Sequence, residues 1–380
     1  MQESKRKVVL VTNSLMVGGL CSVVVEQACN FQQAGCDVHV VLLNKKGLLP
    51  DDMPCQVHNL KMSDSSAPFF YRLFYSLFRP LFRGIGNLFL GGYNARRFQV
   101  FLASLGGGEP LVILHGFRTV VTLRKLKDPV PVMAMHELQS TFIGSRASWL
   151  REKRRQLIKN CYRNGHLVAV SQAVKDDFIE SFGQPEQGIR VIHNGIDAQR
   201  TRALATQDNP FSCQRPYLAS MGRLVEIKGM DVLIRAYAGS KKCQDYDLVI
   251  IGDGPLKSEL RALAFSLGVS DRVHFAGYVK QPFHLLRGAS LYVGCSEHEG
   301  FGLAVLEALC LGVPVLCTGV GGFAEILAGQ EEFFFPPADE VMLAEKLDWM
   351  LSDYANIKAR QYFPVSFDLD VTAKQYLEII

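Results

Sequence analysis

Short apolar runs rich in β-branched residues recur along the chain, separated by longer amphipathic stretches. In the first half the runs are KVVLVTN, DVHVVLLN, PLVILHG, PVMAMHE, HLVAVS and RVIHNG; in the second they are PYLASMGR, YDLVIIGDG, RVHFAGY, ASLYVGCS and VPVLCTG. A strand with one face in water alternates apolar and polar residues. These runs are apolar almost throughout, as strands are when helices cover both faces of a parallel sheet. The pattern predicts an α/β protein with two Rossmann-like, doubly wound domains facing across a cleft. The length of 380 residues agrees, because single cores rarely grow beyond about 250–300 residues. The text turns polar and irregular at DAQRTRALATQDNPFSCQRP, which divides the chain into a first domain at 1–197, a linker at 198–215 and a second domain from 216.

With 48% hydrophobic and 21% charged residues the chain is globular rather than disordered. Its net charge of +4 is unevenly placed. Residues 1–197 carry 24 Lys and Arg against 15 Asp and Glu, whereas 198–380 carry 17 against 22, so the first half is the one suited to an anionic surface. The ten cysteines form no CxxC and no histidines stand at zinc spacing, which reads as reduced thiols, mostly core filler, with no metal site. At the start, Lys5-Arg6-Lys7 runs into only VVLVT before Asn13 and Ser14, which does not fit a cleavable signal. No uncharged apolar run reaches the roughly 18 residues of a membrane span. A cytoplasmic protein is expected.

In open sheets of this kind ligands collect beyond the carboxyl ends of the strands, at switch points and helix N-termini. The unusual residues fall there. Gly18 and Gly19 follow the first strand and let a backbone approach a ligand, although a plain tight turn would look the same. In GRLVEIKG, Arg223 and Lys228 stand five apart across a strand-to-helix turn, where they can converge on a diphosphate or simply be solvated cations. IGDGP opens at Gly252 like GxGxxG, but Lys257 occupies the place of the third glycine, which argues against a dinucleotide site.

The richest stretch is SEHEGFGLAVLEAL, Ser296 to Leu309. Gly300 and Gly302 leave amides open to an anion or a sugar at the mouth of a helix whose dipole points the same way. Glu299 stands in the loop and Glu307 about two turns along the helix, so the pair can accept hydrogen bonds from hydroxyls at opposite ends of a nucleotide sugar. Glu307 lies inside the apolar run AVLEALCLGVPVL, where a carboxylate is costly without a partner.

The order GG, HNGID, GRLVEIKG, IGDGP, SEHEGFGLAVLEAL with its two glutamates eight apart, and GVPVLCTGVGGFAEI resembles family 4 of the retaining nucleotide-sugar glycosyltransferases, the group 1 type with a GT-B fold, including those of bacterial lipopolysaccharide and exopolysaccharide assembly. The resemblance covers nearly the whole chain and is strongest from His193 to Ile326. It implies transfer of a sugar from a nucleotide diphosphate, such as a UDP- or GDP-sugar, to a glycan or glycolipid hydroxyl with retention of configuration. No cofactor and no metal are implied. By the same resemblance Arg223 and Lys228 hold the donor diphosphate, Glu307 the ribose hydroxyls and Glu299 the transferred sugar. The amides around Gly300, Phe301, Gly302 and Leu303 complete the cradle, with Gly252 beside it, Gly18 and Gly19 border it, and Thr318, Gly321 and Glu325 furnish the remaining donor side. His136 matches the family's histidine near the scissile bond. The family's last helix, matched by residues 363–380, crosses back from a donor domain at 216–362 to the first domain.

His115 ends the strand PLVILHG and is either an acceptor-side residue or an ordinary structural histidine. Residues 69–90, FFYRLFYSLFRPLFRGIGNLFL, set Arg72, Arg79 and Arg83 along one line with Phe70, Phe74 and Leu77 opposite, as in a helix lying on anionic lipid. An internal helix packed on the first sheet would carry the same pattern. A second basic stretch, Arg146 to Arg163, has seven Arg and Lys against one acid, and no nucleic-acid motif accompanies it. Together the two favour a lipid-linked or phosphorylated saccharide acceptor and peripheral contact with the cytoplasmic face of the inner membrane. The strings Asp245-Tyr246-Asp247 and Asp368-Leu369-Asp370 mimic a metal-binding DxD but are misplaced for one. Two rival readings remain: a nucleotide-sugar epimerase of the same fold, and a non-catalytic sugar-nucleotide-binding protein.

Overall fold

The computed structural model describes residues 5–15, 19–44, 53, 55–62, 90–143, 148–206, 215–353, 357 and 363–379. The chain forms two compact units, Met1–Gly195 with Leu369–Ile380, and Ile196–Asp368. The α/β expectation holds in each.

Among the described residues the first unit has seven strands: β1 (Lys7–Thr12), β2 (Asp37–Leu42), β3 (Gln56–Asn59), β4 (Leu111–His115), β5 (Val132–Met135), β6 (His166–Ala169) and β7 (Ile189–Val191). They lie in the order β3-β2-β1-β4-β5-β6-β7, every pair parallel. All six residues of β1 and all five of β4 are buried, so the continuous apolar text reflects a central strand covered on both faces. The second unit carries β8 (Tyr217–Met221), β9 (Asp247–Ile251), β10 (Val273–Gly277), β11 (Leu291–Gly294), β12 (Val315–Thr318) and β13 (Phe334–Phe335), ordered β10-β9-β8-β11-β12-β13 and again parallel. In both sheets the strand order reverses once among the described strands, beside β1 and β4 in the first and beside β8 and β11 in the second. A crevice opens at such a reversal because the flanking connections leave in opposite directions.

Three expectations need correction. The linker read at 198–215 contains a helix, Ala198–Leu204, because Asp197 caps it by accepting from the Arg200 amide and Thr201 is buried. Arg202 Nε then donates to the Cys310 carbonyl, so this segment is a packed part of the second unit, while 207–214 lie outside the described residues. The unit boundary falls after Gly195 rather than 197, where Ile196 and Asp368 form a β-bridge. The tail divides at Leu369 rather than 363: Phe367 packs edge-on against Phe301 of the second unit, whereas helix Leu369–Leu377 belongs to the first. Its Ala373 and Tyr376, with Ile379 beyond it, join a core with Val24, Phe31, Val38 and Ile113, and Asn30 donates to Asp370 at 2.7 Å.

The amphipathic stretch 69–90 lies, apart from Leu90, outside the described residues, as does Arg146. Helix Ser148–Cys161 carries the second basic stretch; on it Arg155 pairs with Glu152 at 3.2 Å and Arg154 donates to the Phe142 carbonyl. No described helix is long and apolar enough to cross a membrane. None of the described cysteines forms a disulfide, and the described residues hold no cluster fit for a metal.

Candidate donor site

The loops after β8 and β11 stand at the switch point of the second sheet, and most of the expected donor residues lie on them. After β8 come Gly222, exposed Arg223 and buried Leu224, then a short 3-10 turn ending at Lys228. Gly229 turns the chain into helix Met230–Gly239 with φ of 58°, and a side chain there would strike the Cys295 carbonyl. After β11 the loop Cys295–Gly302 leads into helix Leu303–Cys310.

The two loops are tied together. The Glu297 amide donates to the Ile227 carbonyl at 2.9 Å, and Lys228 Nζ lies 2.6 Å from Glu299 Oε2. Both side chains are largely buried, at 26% and 17% exposure, so this pair is better shielded from water than a surface ion pair. Ser296 Oγ donates to the same carboxylate oxygen, and Thr318 Oγ1, at the end of β12, donates to the Ser296 carbonyl. Glu299 is thus held by Lys228 and Ser296, and Thr318 steadies Ser296 in turn.

Glycines set how closely these loops approach. Gly302 caps its helix at φ of 103°, with the Phe323 ring where a side chain would be. Gly321 and Gly322, opening helix Gly321–Ile326, press on the backbone of Glu299 and Phe301. The sequence reading missed Phe323 and Gly322; the run GVGGF was the signal. Gly252, also of the expected site, has φ of 141° and faces the Gly222 carbonyl, so its bareness seats the loop after β9 against the loop after β8. Leu224 and Asp253 complete that seam by a backbone hydrogen bond of 3.0 Å. Lys257, in the third-glycine position, pairs with Asp253 at 2.9 Å.

Glu307 is buried at 9% exposure, about one turn into its helix, among Val305, Leu306 and Ala308. Leu303 and Gly300 remain partly exposed at the helix mouth, whereas the Phe301 side chain is buried against Phe367, leaving only its backbone to serve a ligand. Glu325 is partly exposed on helix Gly321–Ile326. The DxD strings are engaged elsewhere: Asp247, at the opposite end of its strand, pairs with His274 at 3.0 Å, and Asp370 accepts from Asn30 in the first unit.

In the first unit Gly19 is exposed at the start of helix Gly19–Gln33, and Gly18 lies outside the described residues. His115 ends β4 and His136 follows β5, and their rings meet at 3.0 Å. His115, which the sequence left as either an acceptor-side residue or a structural histidine, is wholly buried and contacts His136. The loop beyond His136 is fixed by residues that the reading passed over. Gln139 donates to the Glu137 carbonyl and accepts from the buried Tyr162 hydroxyl at 2.7 Å, while Asp177 accepts from the Ser140 amide.

Residues 17–200 match the family model described as Glycosyltransferase Family 4, and residues 202–363 match the one described as Glycosyl transferases group 1. The chain is 26% identical over 300 residues to an N-acetylgalactosamine-N,N'-diacetylbacillosaminyl-diphospho-undecaprenol 4-alpha-N-acetylgalactosaminyltransferase of Campylobacter jejuni, covering 78% of this chain and 76% of that protein. It is 39% identical over 130 residues to the lipopolysaccharide core biosynthesis glycosyltransferase LpsE of Rhizobium meliloti, 34% of this chain and 37% of that one. Matched segments thus span from about a third to three quarters of these relatives. Among solved structures, HepE of Anabaena in complex with UDP superimposes with a TM-score of 0.71 at 20% identity over 98% of both chains, which is a likeness of fold.

Proposed function

The chain belongs to the group 1, family 4 glycosyltransferases of GT-B fold, and we propose that it moves a sugar from a nucleotide diphosphate to a lipid-linked or glycan hydroxyl with retention of configuration. One observation carries the donor assignment: Lys228 and Glu299 meet at 2.6 Å over the N-terminus of helix Leu303–Cys310, at the switch point of the second sheet. A cation suited to phosphate and a carboxylate suited to sugar hydroxyls thereby stand side by side. The reading gives Arg223 and Lys228 to the diphosphate, with the open amides from Gly300 to Leu303 beside them. Glu307 takes the ribose hydroxyls and Glu299 the transferred sugar.

As the bond to the sugar breaks, negative charge grows on the departing diphosphate. Fixed cations and helix amides stabilise that charge without reorganising, and they do so more strongly in a site closed to water. This supports a metal-independent reaction, as does the engagement of both DxD strings away from the donor loops. The diphospho-undecaprenol saccharide in the name of one relative and the lipopolysaccharide core in that of another support an acceptor of that kind and cell-surface polysaccharide assembly as the setting. The positive charge of residues 1–197 supports contact with anionic lipid.

The test is donor binding in EDTA, screening UDP-, GDP- and ADP-sugars by thermal shift with Arg223→Ala and Glu307→Ala alongside. One donor should stabilise the wild type, and each substitution should weaken its binding at least tenfold. Equal shifts in wild type and both variants would refute the assignment. An epimerase would convert the donor with no acceptor present, which product analysis of the same samples reveals.

A further inference from the structure

The paired histidines of the first unit carry a role that rests on the glycosyltransferase reading and deepens it. In the parallel register His115 lies beside Ala134, and two residues on from Ala134 the side chain returns to the same face of the sheet, which brings His136 diagonally against His115. Nδ1 of His115 and Nε2 of His136 are 3.0 Å apart, and the tilted rings have centroids 5.2 Å apart. Burial pushes His136 down to about 4 and His115 well below its ordinary value, the neighbouring His136 adding to the effect on His115. Both rings are therefore neutral at pH 7, with one N–H each.

Two neutral rings sharing one hydrogen bond leave one N–H and one lone pair over. These fall on His115 Nε2 and His136 Nδ1, two buried atoms with no hydrogen-bond partner among the described residues. Leaving such atoms without a hydrogen bond is unfavourable, and a partner supplied at His136 Nδ1 would remove that cost. The two residues differ, since His115 is wholly buried whereas His136 is partly exposed, although its Nδ1 atom is itself covered.

We propose that His115 is a positioning residue for His136: by engaging Nε2 it fixes the ring and its tautomer, so that Nδ1 is the one ring atom left to hydrogen-bond a saccharide hydroxyl. The pair orients and does not relay a proton, because His115 Nε2 has no described partner to supply or take one. Asparagine reaches the position of Nδ1 and would keep the bond, whereas phenylalanine fills the space without it.

His115→Phe and His115→Asn, compared with wild type, test this by long-range 1H–15N spectra of His136 and by turnover of the nucleotide sugar. In wild type the spectra should show a single hydrogen-bonded tautomer of His136, lost in His115→Phe and kept in His115→Asn. For His115→Phe we expect kcat to fall roughly 10–100-fold, as when a histidine loses its orienting partner, with donor affinity and Tm unchanged. His115→Asn should recover most of it. A folded His115→Phe with kcat within twofold of wild type, or a wild-type His136 sampling both tautomers, would overturn the proposal. Failure of the donor reading shows separately, as no nucleotide binding by wild type, and the tautomer spectra then decide the pair.

Discussion

Glu299 and Glu307 sit eight residues apart yet answer to different neighbours. Glu299 shares Lys228 and Ser296, whereas Glu307 is enclosed by its own helix and the sheet. If the Lys228 charge is divided between Glu299 and the donor phosphate, Glu299→Gln releases it for phosphate. This variant should bind the bare nucleoside diphosphate at least as tightly as wild type by calorimetry, while its turnover falls about 100-fold for want of the sugar contact. The histidine pair makes a second prediction. His136 is held near 4 in the folded chain against 6.5 in the unfolded one, so it costs nothing above pH 6.5. As pH falls from 6.5 towards 4 the unfolded chain takes up a proton that the folded chain refuses, and stability drops by about 1.4 kcal/mol per pH unit, about 3 kcal/mol in all. The Tm of His136→Phe measured over that range should decline less steeply than that of wild type.

At the scale of elements, the sheets were legible because buried parallel strands write their burial into sequence: β4 and β9 are apolar at nearly every position. The donor loops were legible as residue types, but not as a structure. Nothing in IGDGP says that Gly252 is bare for the sake of Gly222, thirty residues away, since loop-to-loop fit depends on register across two strands. The contact of His115 with His136 was hidden for the same reason, and the linker misread arose because a capped seven-residue helix has too few turns to show a period. A graded experiment follows. Gly252→Ala forces a methyl into the Gly222 carbonyl and should cost about 1–3 kcal/mol and weaken donor binding. Gly239→Ala, at a helix end with open space and no positive φ, should leave both the melting curve and donor affinity unchanged.

For the whole molecule, the feature that matters is that the first unit is not continuous in sequence: the chain leaves it at Gly195 and supplies its last piece from Leu369 onward. Ending the chain at Asp368 should uncover Phe31, Val24 and Val38 and cost the first unit about 3 kcal/mol or more, read as a lowered transition in scanning calorimetry. Nucleotide should still shift the transition of Ile196–Asp368, whose donor loops the truncation leaves intact. The same discontinuity gives translation a part in folding. Seven strands emerge from the ribosome with an apolar flank open, and the helix that covers it is made only after the entire second unit. At about 5–20 residues per second that is a wait of roughly 10–35 s. During it the apolar flank stays open to misassociation, and the arrival of Tyr376 and Ile379 completes the core that closes it.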